Sequence, residues 1–180
     1  LCCEAAAELI LSQSEPMRLC LQGLETLTEE ETAFLSARET LFSVARERSR
    51  PLAARMETLL ERTGADLPNW DGAAWLEVYI KLERLERDWE ACLAVLQNAP
   101  FLTVPTVLDL PAEQLLCYFL YRHLAGGLDD GLFAARTAFA VLSTLLVATL
   151  WQYGTEHTLP RFFDLARRYS AEIEYSDENT

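Results

Sequence analysis

The sequence predicts an all-α fold, a single bundle of six or seven helices around one buried central helix. Three features carry this. Helix caps and proline or glycine breaks recur along the chain. Trp75, Val78, Leu82, Leu85, Trp89, Cys92 and Leu96 alternate steps of three and four, the spacing of one helix face. Residues 137–155 run without a formal charge, as the centre of a helical bundle requires. With 180 residues, 51% of them hydrophobic, one domain with a real core is expected.

The elements follow in order. Residues 1–12 are rich in Ala and Leu, and Glu15-Pro16 marks a break. Thr28 and Glu31 form a capping box. The helix it starts should run to about Arg48, its acidic first turn and its late Arg46 and Arg48 both suiting the helix dipole. Pro51 can open the next helix, which should stop near Gly64. After Asp71 comes the clearest helix, continuous through the stripe that ends at Leu96. Its outer face sets Glu77 before Lys81 and Glu83 before Arg87 in the favourable order. Pro100 ends it. Residues 101–110 read as an extended connector or a short strand. Pro111 starts a helix through about Leu124, stopped by Gly126-Gly127. Asp129 or Asp130 caps the apolar central helix, 132–153, which ends near Gly154. The last helix begins near Thr158 or Pro160. Its inner stripe is Phe162, Leu165 or Ala166, Tyr169 and Ile173.

The net charge of −13 disfavours nucleic acid and anionic membrane surfaces as partners, since both demand clustered Lys and Arg. The run 137–155 has the length of a membrane span, but its scattered Thr, Ser, Gln and Tyr suit a buried core helix better. The odd number of cysteines, five, does not suggest a disulfide framework. Cys92 and Cys117 lie in apolar patterns and read as buried thiols in a reducing, cytoplasmic setting. No basic leader or cleavage motif is evident. A chain that opens Leu1-Cys2-Cys3 reads as a piece of a longer protein.

The familiar catalytic patterns are missing. The seven glycines are scattered, with neither a GxGxxG nor a GxxxxGK[ST] loop. No CxxC, HExxH or GxSxG occurs, and the two histidines, His123 and His157, are far apart in sequence. Arg122 and His123 follow an apolar run. Arg122 either pairs with a carboxylate or contacts an anionic ligand, with His123 at the bundle edge. The acidic end is either a solvated helix terminus or an attraction for a basic partner.

Four segments carry a resemblance. They are Cys2-Cys3-Glu4-Ala5-Ala6-Ala7-Glu8-Leu9-Ile10-Leu11 with Glu15-Pro16; Leu82-Glu83-Arg84-Leu85-Glu86-Arg87-Asp88-Trp89; Glu113 through Arg122-His123-Leu124; and Arg168-Tyr169-Ser170-Ala171-Glu172-Ile173-Glu174-Tyr175-Ser176-Asp177-Glu178-Asn179. In this order they resemble the flagellin lysine N-methylases, the FliB-like proteins. The matching family patterns are C-P-E-A-A-R-L-L-L, L-x-x-L-x-x-x-W, E-N-Y-L-x-Y-x-L-x-R-H/Y and Y-S-R-E-I-E-H-S-D-E-N. Here Cys3 replaces the family Pro, Ala171 the Arg and Tyr175 the His.

The resemblance implies a bacterial, cytoplasmic protein that methylates lysine side chains on flagellin. S-adenosylmethionine and an iron–sulfur cluster are the implied cofactors of the whole protein. The cluster would belong to a cysteine-rich N-terminal half that precedes these residues. This chain would be the C-terminal helical region, without catalytic activity or a cofactor of its own. Cys2 is the residue that could be a cluster ligand. Glu113, Arg122, Tyr169, Ser170, Glu172, Glu174, Ser176 and Asn179 are the motif residues, read as structural or partner-docking. Catalytic and methyl-donor residues stay unassigned. Spacing puts Tyr169 and Ile173 on the apolar face and lets Arg168 pair with Glu172. Tyr169 should be buried with its hydroxyl bonded. Ser170, Glu172 or Glu174 should touch another helix, with Arg122 a candidate partner. The alternative function is a non-catalytic helical interaction module with an acidic surface. Cysteine motifs directly upstream in the parent gene would separate the two.

Overall fold

A computed structural model describes residues 29–82, 86, 88–124 and 132–174, excluding the side chains of 29–32 and 174. It is all-α, with no strand among the described residues. The helices are α1 (Glu29–Ala45), α2 (Leu52–Thr63), α3 (Gly72–Lys81), α4 (Trp89–Leu93), α5 (Asp109–His123), α6 (Phe133–Tyr153) and α7 (Leu159–Tyr169). Short 3-10 turns cover Ala94–Asn98 and Thr106–Leu108, and a π-helical turn covers Ser170–Glu174. The chain's contacts sort into two compact units, Leu1–Ala65 with Glu113–Ala140 and Asp66–Ala112 with Val141–Thr180. The division falls inside α5 and α6. The motif around Cys2 and Cys3, the Thr28 cap, Gly126-Gly127, Asp129, Asp130, Ser176 and Asn179 lie outside the described residues.

In the first unit, α1 ends at Ala45, short of the expected Arg48. The buried Arg55 side chain donates to the Ala45 carbonyl, satisfying a group that continued helix would otherwise occupy. This frees Arg48 to turn toward Glu113. Pro51 occupies the position before α2, its fixed φ of −55° suiting the entry. Leu52, Met56 and Leu59 bury one face of α2. Gly64, at φ 65°, closes that helix in the left-handed conformation that favours glycine. The inward residues of α5 here are Leu116, Phe119 and Leu120, and α5 begins two residues before Pro111, which sits within the first turn.

In the second unit, Asp71 caps α3, its carboxylate accepting from the Ala73 and Ala74 N–H groups. The expected continuous helix to Leu96 does not form. It stops at Lys81, with Leu82 extended at ψ 155°, and resumes at Trp89. Within α3 the expected stripe is also displaced, whereas its members Trp89 and Leu96 are buried as expected. Gly72, Leu76 and Tyr79 face inward, whereas Val78 is 50% exposed. Beyond the break Trp89, Leu93 and Leu96 are buried. Side chains from the C-terminal helix capture this stretch, so tertiary contacts override a good local helix former. Gly72 is required by a close approach: a Cβ there would collide with the Leu96 carbonyl oxygen.

The connector forms no strand. It runs extended to Pro105, then tightens into the Thr106–Leu108 turn. Helix α6 is buried without interruption over 141–151, as the expected central helix should be. By length and apolarity alone it could also cross a membrane. Trp151 Nε1 donates to the Thr158 carbonyl, 2.8 Å, and closes the turn into α7. Thr158 caps α7 by accepting from Arg161 N–H, and Pro160 sits in the first turn. Phe162, Leu165, Tyr169 and Ile173 are buried, with Leu165 rather than Ala166 completing the stripe. Cys92 and Cys117 are both half-buried, less enclosed than the sequence suggested, and neither forms a disulfide.

Candidate functional site

Of the motif residues, Tyr169, Ser170 and Glu172 fall in a polar cluster of the second unit and Glu113 in one of the first. The second-unit cluster is built on the end of α7. Steps of three and four carry Phe162 and Leu165 inward and bring Tyr169 with them. The Tyr169 ring meets Trp89 edge-on, with centroids 6.5 Å apart. Its hydroxyl pairs with Ser143 Oγ on α6 at 3.0 Å, and both residues are buried. The burial and the hydrogen bond expected for Tyr169 are therefore present. Tyr79, also buried, adjoins Tyr169. Burial pushes the Tyr79 phenol well above its usual value, and the neighbouring Tyr169 adds to the effect.

The π-helical turn then carries Glu172 into the protein, where it is fully buried. A Glu172 carboxylate oxygen accepts from the Glu86 backbone N–H at 2.6 Å. A carboxylate on a backbone donor is a charge-assisted bond, stronger than a neutral one. The sequence expected this motif to touch another helix, with Arg122 a candidate partner; the contact Glu172 makes here is instead with the non-helical segment between α3 and α4. Ser170 is half-buried, its N–H held by carbonyls of the last α7 turn. The Glu174 side chain lies outside the described set.

Arginines surround this junction. Arg168 reaches Asp88 at 2.7 Å, Glu86 at 3.1 Å and Asp164 at 3.0 Å. Arg167 binds Glu86 at 2.9 Å and Asp164 at 3.2 Å. Arg161 adds a third contact to Asp164 and sets a guanidinium nitrogen 3.4 Å from the Cys92 sulfur. Hydrogen bonding from Arg168 is the main cause holding Asp88 below the usual carboxylate range. For Asp164, burial acts upward, and the bonds from Arg167 and Arg168 outweigh it. The arginines of α7 thus neutralise Asp164 on the same helix and Glu86 and Asp88 beside α4.

The first-unit cluster centres on Glu113, 3% exposed. Arg48 donates to it from Nε at 3.1 Å and Nη2 at 2.9 Å, and Arg55 from Nη1 at 2.7 Å. Burial acts to raise the Glu113 carboxyl, and the two arginines overcome it and leave it lowered. One turn on, burial pushes the Cys117 thiol up against an opposing pull from Arg46. Such a thiol is held in its less nucleophilic form. Arg122 is exposed near the end of α5. His123 lies between Phe119 and Phe139, with centroids 6.0 and 4.8 Å away.

These clusters bind charge to charge and hydroxyl to hydroxyl, which suits anchoring. An iron–sulfur cluster takes several thiolates together. Among the described residues no three His, Cys, Asp or Glu side chains converge on a metal position, and Cys2 lies outside them. An open depression between α1 and α2, lined by Ser36, Glu39, Thr40, Ser43, Val44, Glu47 and Arg62, has one apolar wall residue, Val44. An adenosyl group calls for more apolar wall than that. Arg55, Tyr79 and Asp164 escaped the sequence reading, and Arg48, Glu86, Asp88 and Ser143 entered it without a site role. A serine in the uncharged stretch of α6 and a cluster of Arg and Asp on α7 were the signals that could have found Ser143 and Asp164. Comparison with protein-family models, with curated proteins and with solved structures finds no match to this chain.

Proposed function

We propose that this chain is the helical scaffold region of a flagellin lysine N-methylase-like protein, supporting methyl transfer that takes place on other residues of a longer chain. The reading rests on the four segments that resemble that family in the right order. One structural observation supports the scaffold role. Two of those segments meet: Glu172 and Arg168 of the last grip Glu86 and Asp88 of the second, and Tyr169 packs on Trp89. The third segment is anchored through Glu113. Motif residues engaged in this way hold the fold together, and the substrate would be flagellin with S-adenosylmethionine as methyl donor.

The test is a methylation assay on purified flagellin with three proteins: the full-length parent, these 180 residues alone, and the parent carrying Cys2→Ser. The parent should methylate lysines, this chain alone should not, and Cys2→Ser should impair the parent. Transfer by these residues alone would refute the scaffold role. Absence of transfer by the parent would refute the family reading. The second reading, a non-catalytic module for a basic partner, draws on the net charge of −13. It predicts salt-sensitive binding without methylation.

A further inference from the structure

A row of aromatic rings in the second unit starts in the core and ends at the surface. Tyr79 is buried on α3. Trp75, one turn earlier, is half-buried, its ring 6.0 Å from that of Tyr79. Trp70, ahead of the helix, stacks on Trp75 with centroids 6.3 Å apart and planes 14° from parallel, and it too is half-buried. Its Nε1–H donates to the Ala99 carbonyl at 2.8 Å. That bond fixes the Trp70 indole at one edge, and the stack fixes it at one face. Two exposed apolar side chains adjoin the row in the chain. Val78, one turn beyond Trp75, is 50% exposed, and Phe101, two positions past the Ala99 carbonyl, is 57% exposed. Rigid aromatic area kept at a surface is typical of interface cores.

The charge around the row has one sign. From Gly64 to Ile80 there is no Lys or Arg, but there are Asp66, Asp71 and Glu77. All three are exposed, and among the described residues none takes part in an ion pair. In the same unit Glu86, Asp88 and Asp164 are each matched by an arginine of α7. Asp71 lies four positions before Trp75, the spacing of neighbours on one helix face. Its Oδ1 serves the cap of α3. Its Oδ2 holds no hydrogen bond among the described residues.

We propose that the Trp70–Trp75 stack, with Asp71 beside it, is a docking surface for an arginine-bearing segment of another protein. Indole is the aromatic ring that attracts a cation best. A guanidinium is planar and weakly hydrated, stacks on such a face, and has N–H groups left over for a carboxylate. It lies over the exposed indole face with those groups toward Asp71, and apolar side chains of the segment cover Val78 and Phe101. Rings already held in place cost little to order on binding.

The experiment uses the full 180-residue chain, labelled with nitrogen-15, at about 0.15 M salt so that diffuse attraction is screened. It is titrated with short blocked peptides of alternating Gly-Arg, Gly-Glu or Gly-Leu and with a neutral oligosaccharide. The readout is the Nε1–H resonance of each of the four tryptophans. Trp89 and Trp151, both buried, serve as internal references. The Gly-Arg peptide should shift the Trp70 and Trp75 signals saturably and leave the other two in place, with Gly-Glu inert. Asp71→Asn keeps a good cap and should weaken that binding about threefold. Trp75→Leu should weaken it about tenfold. No shift with Gly-Arg, equal shifts of all four signals, or binding unchanged in both variants would overturn the proposal. So would Gly-Leu or the oligosaccharide moving Trp70 and Trp75 as strongly as Gly-Arg. Movement of those two signals with protein concentration alone would overturn it in favour of a second copy of this chain. Should Trp75→Leu unfold, the wild-type shifts and Asp71→Asn decide.

Discussion

Replacing Tyr169 by Phe removes one oxygen from the second unit and leaves the ring in place. The lost atom lies 3.0 Å from Ser143 Oγ, and both residues are buried, Ser143 at 0% and Tyr169 at 1% exposure. Water cannot readily replace the partner, so the Ser143 hydroxyl is left unsatisfied. The cost should be about 1.5 kcal/mol, between that of a simple hydrogen bond and that of a stranded buried group. Tyr169→Ala also removes the ring packed edge-on to Trp89 and should cost about 4 kcal/mol. For a chain of this size each kcal/mol lowers the melting temperature by roughly 2–4 °C. Calorimetry should therefore show falls of about 3–6 °C for Phe and about 8–16 °C for Ala. A double-mutant cycle with Ser143→Ala isolates the pair, with an expected coupling of about 1 kcal/mol. A Tyr169→Phe protein as stable as the wild type, with no coupling to Ser143, would refute this account. Under the proposed methylase function, loss of flagellin methylation in the longer protein without loss of stability would make Tyr169 part of a functional surface instead.

Glu113→Gln strips the counter-charge from the buried Arg55 and should destabilise by about 3 kcal/mol. Arg48→Ala should cost under about 1 kcal/mol, since its side chain is 64% exposed; chemical denaturation of the two variants separates these values. Glu113 and Asp164 both have lowered carboxyl pKa values in the fold, against ordinary values of 4.5 and 3.8. Their contribution is therefore complete above those ordinary values and is lost as pH falls through the lowered ones. The melting temperature should hold from neutral pH to about 5 and then fall. Glu113→Gln should flatten part of that acid limb, and an unchanged limb would exclude Glu113 from it. Gly72→Ala drives a Cβ into the Leu96 carbonyl and should cost about 2 kcal/mol or more. Gly64→Ala meets open space and strains only the backbone, at about 1 kcal/mol, so a reversed order in thermal melts would contradict the packing described for α3.

Much of the fold was legible because its signals are local. Asp71 and Thr158 cap helices through short polar side chains that reach the nearest free N–H groups. Gly64 ends α2 because glycine tolerates positive φ. The last helix was readable from Phe162, Leu165, Tyr169 and Ile173, whose spacing places them on one side. The cluster chemistry was only half legible. Tyr169 announced itself as a phenol on an apolar face, but its partner Ser143 lies 26 positions away. Glu113 was visible as a motif residue, whereas Arg48 and Arg55, 65 and 58 positions distant, were not.

By itself the sequence determined the helical class, the caps, the uncharged stretch from Thr137 to Tyr153 of the central helix and the inner face of α7. Each depends on backbone geometry and on neighbours within one turn. Only the tertiary structure decided where the stretch from Asp71 to Leu96 breaks and which face α3 buries. Its local pattern favours one helix, and a carboxylate from Glu172, 86 positions beyond Glu86, takes the N–H that helix would use. The end of α1 was decided in the same way, by Arg55 taking the Ala45 carbonyl. Helix propensity amounts to a few tenths of a kcal/mol per residue, about 0–0.7. A charge-assisted bond in a buried site contributes about 1.5–3 kcal/mol. Where the two compete over a few residues, the distant side chain sets the backbone.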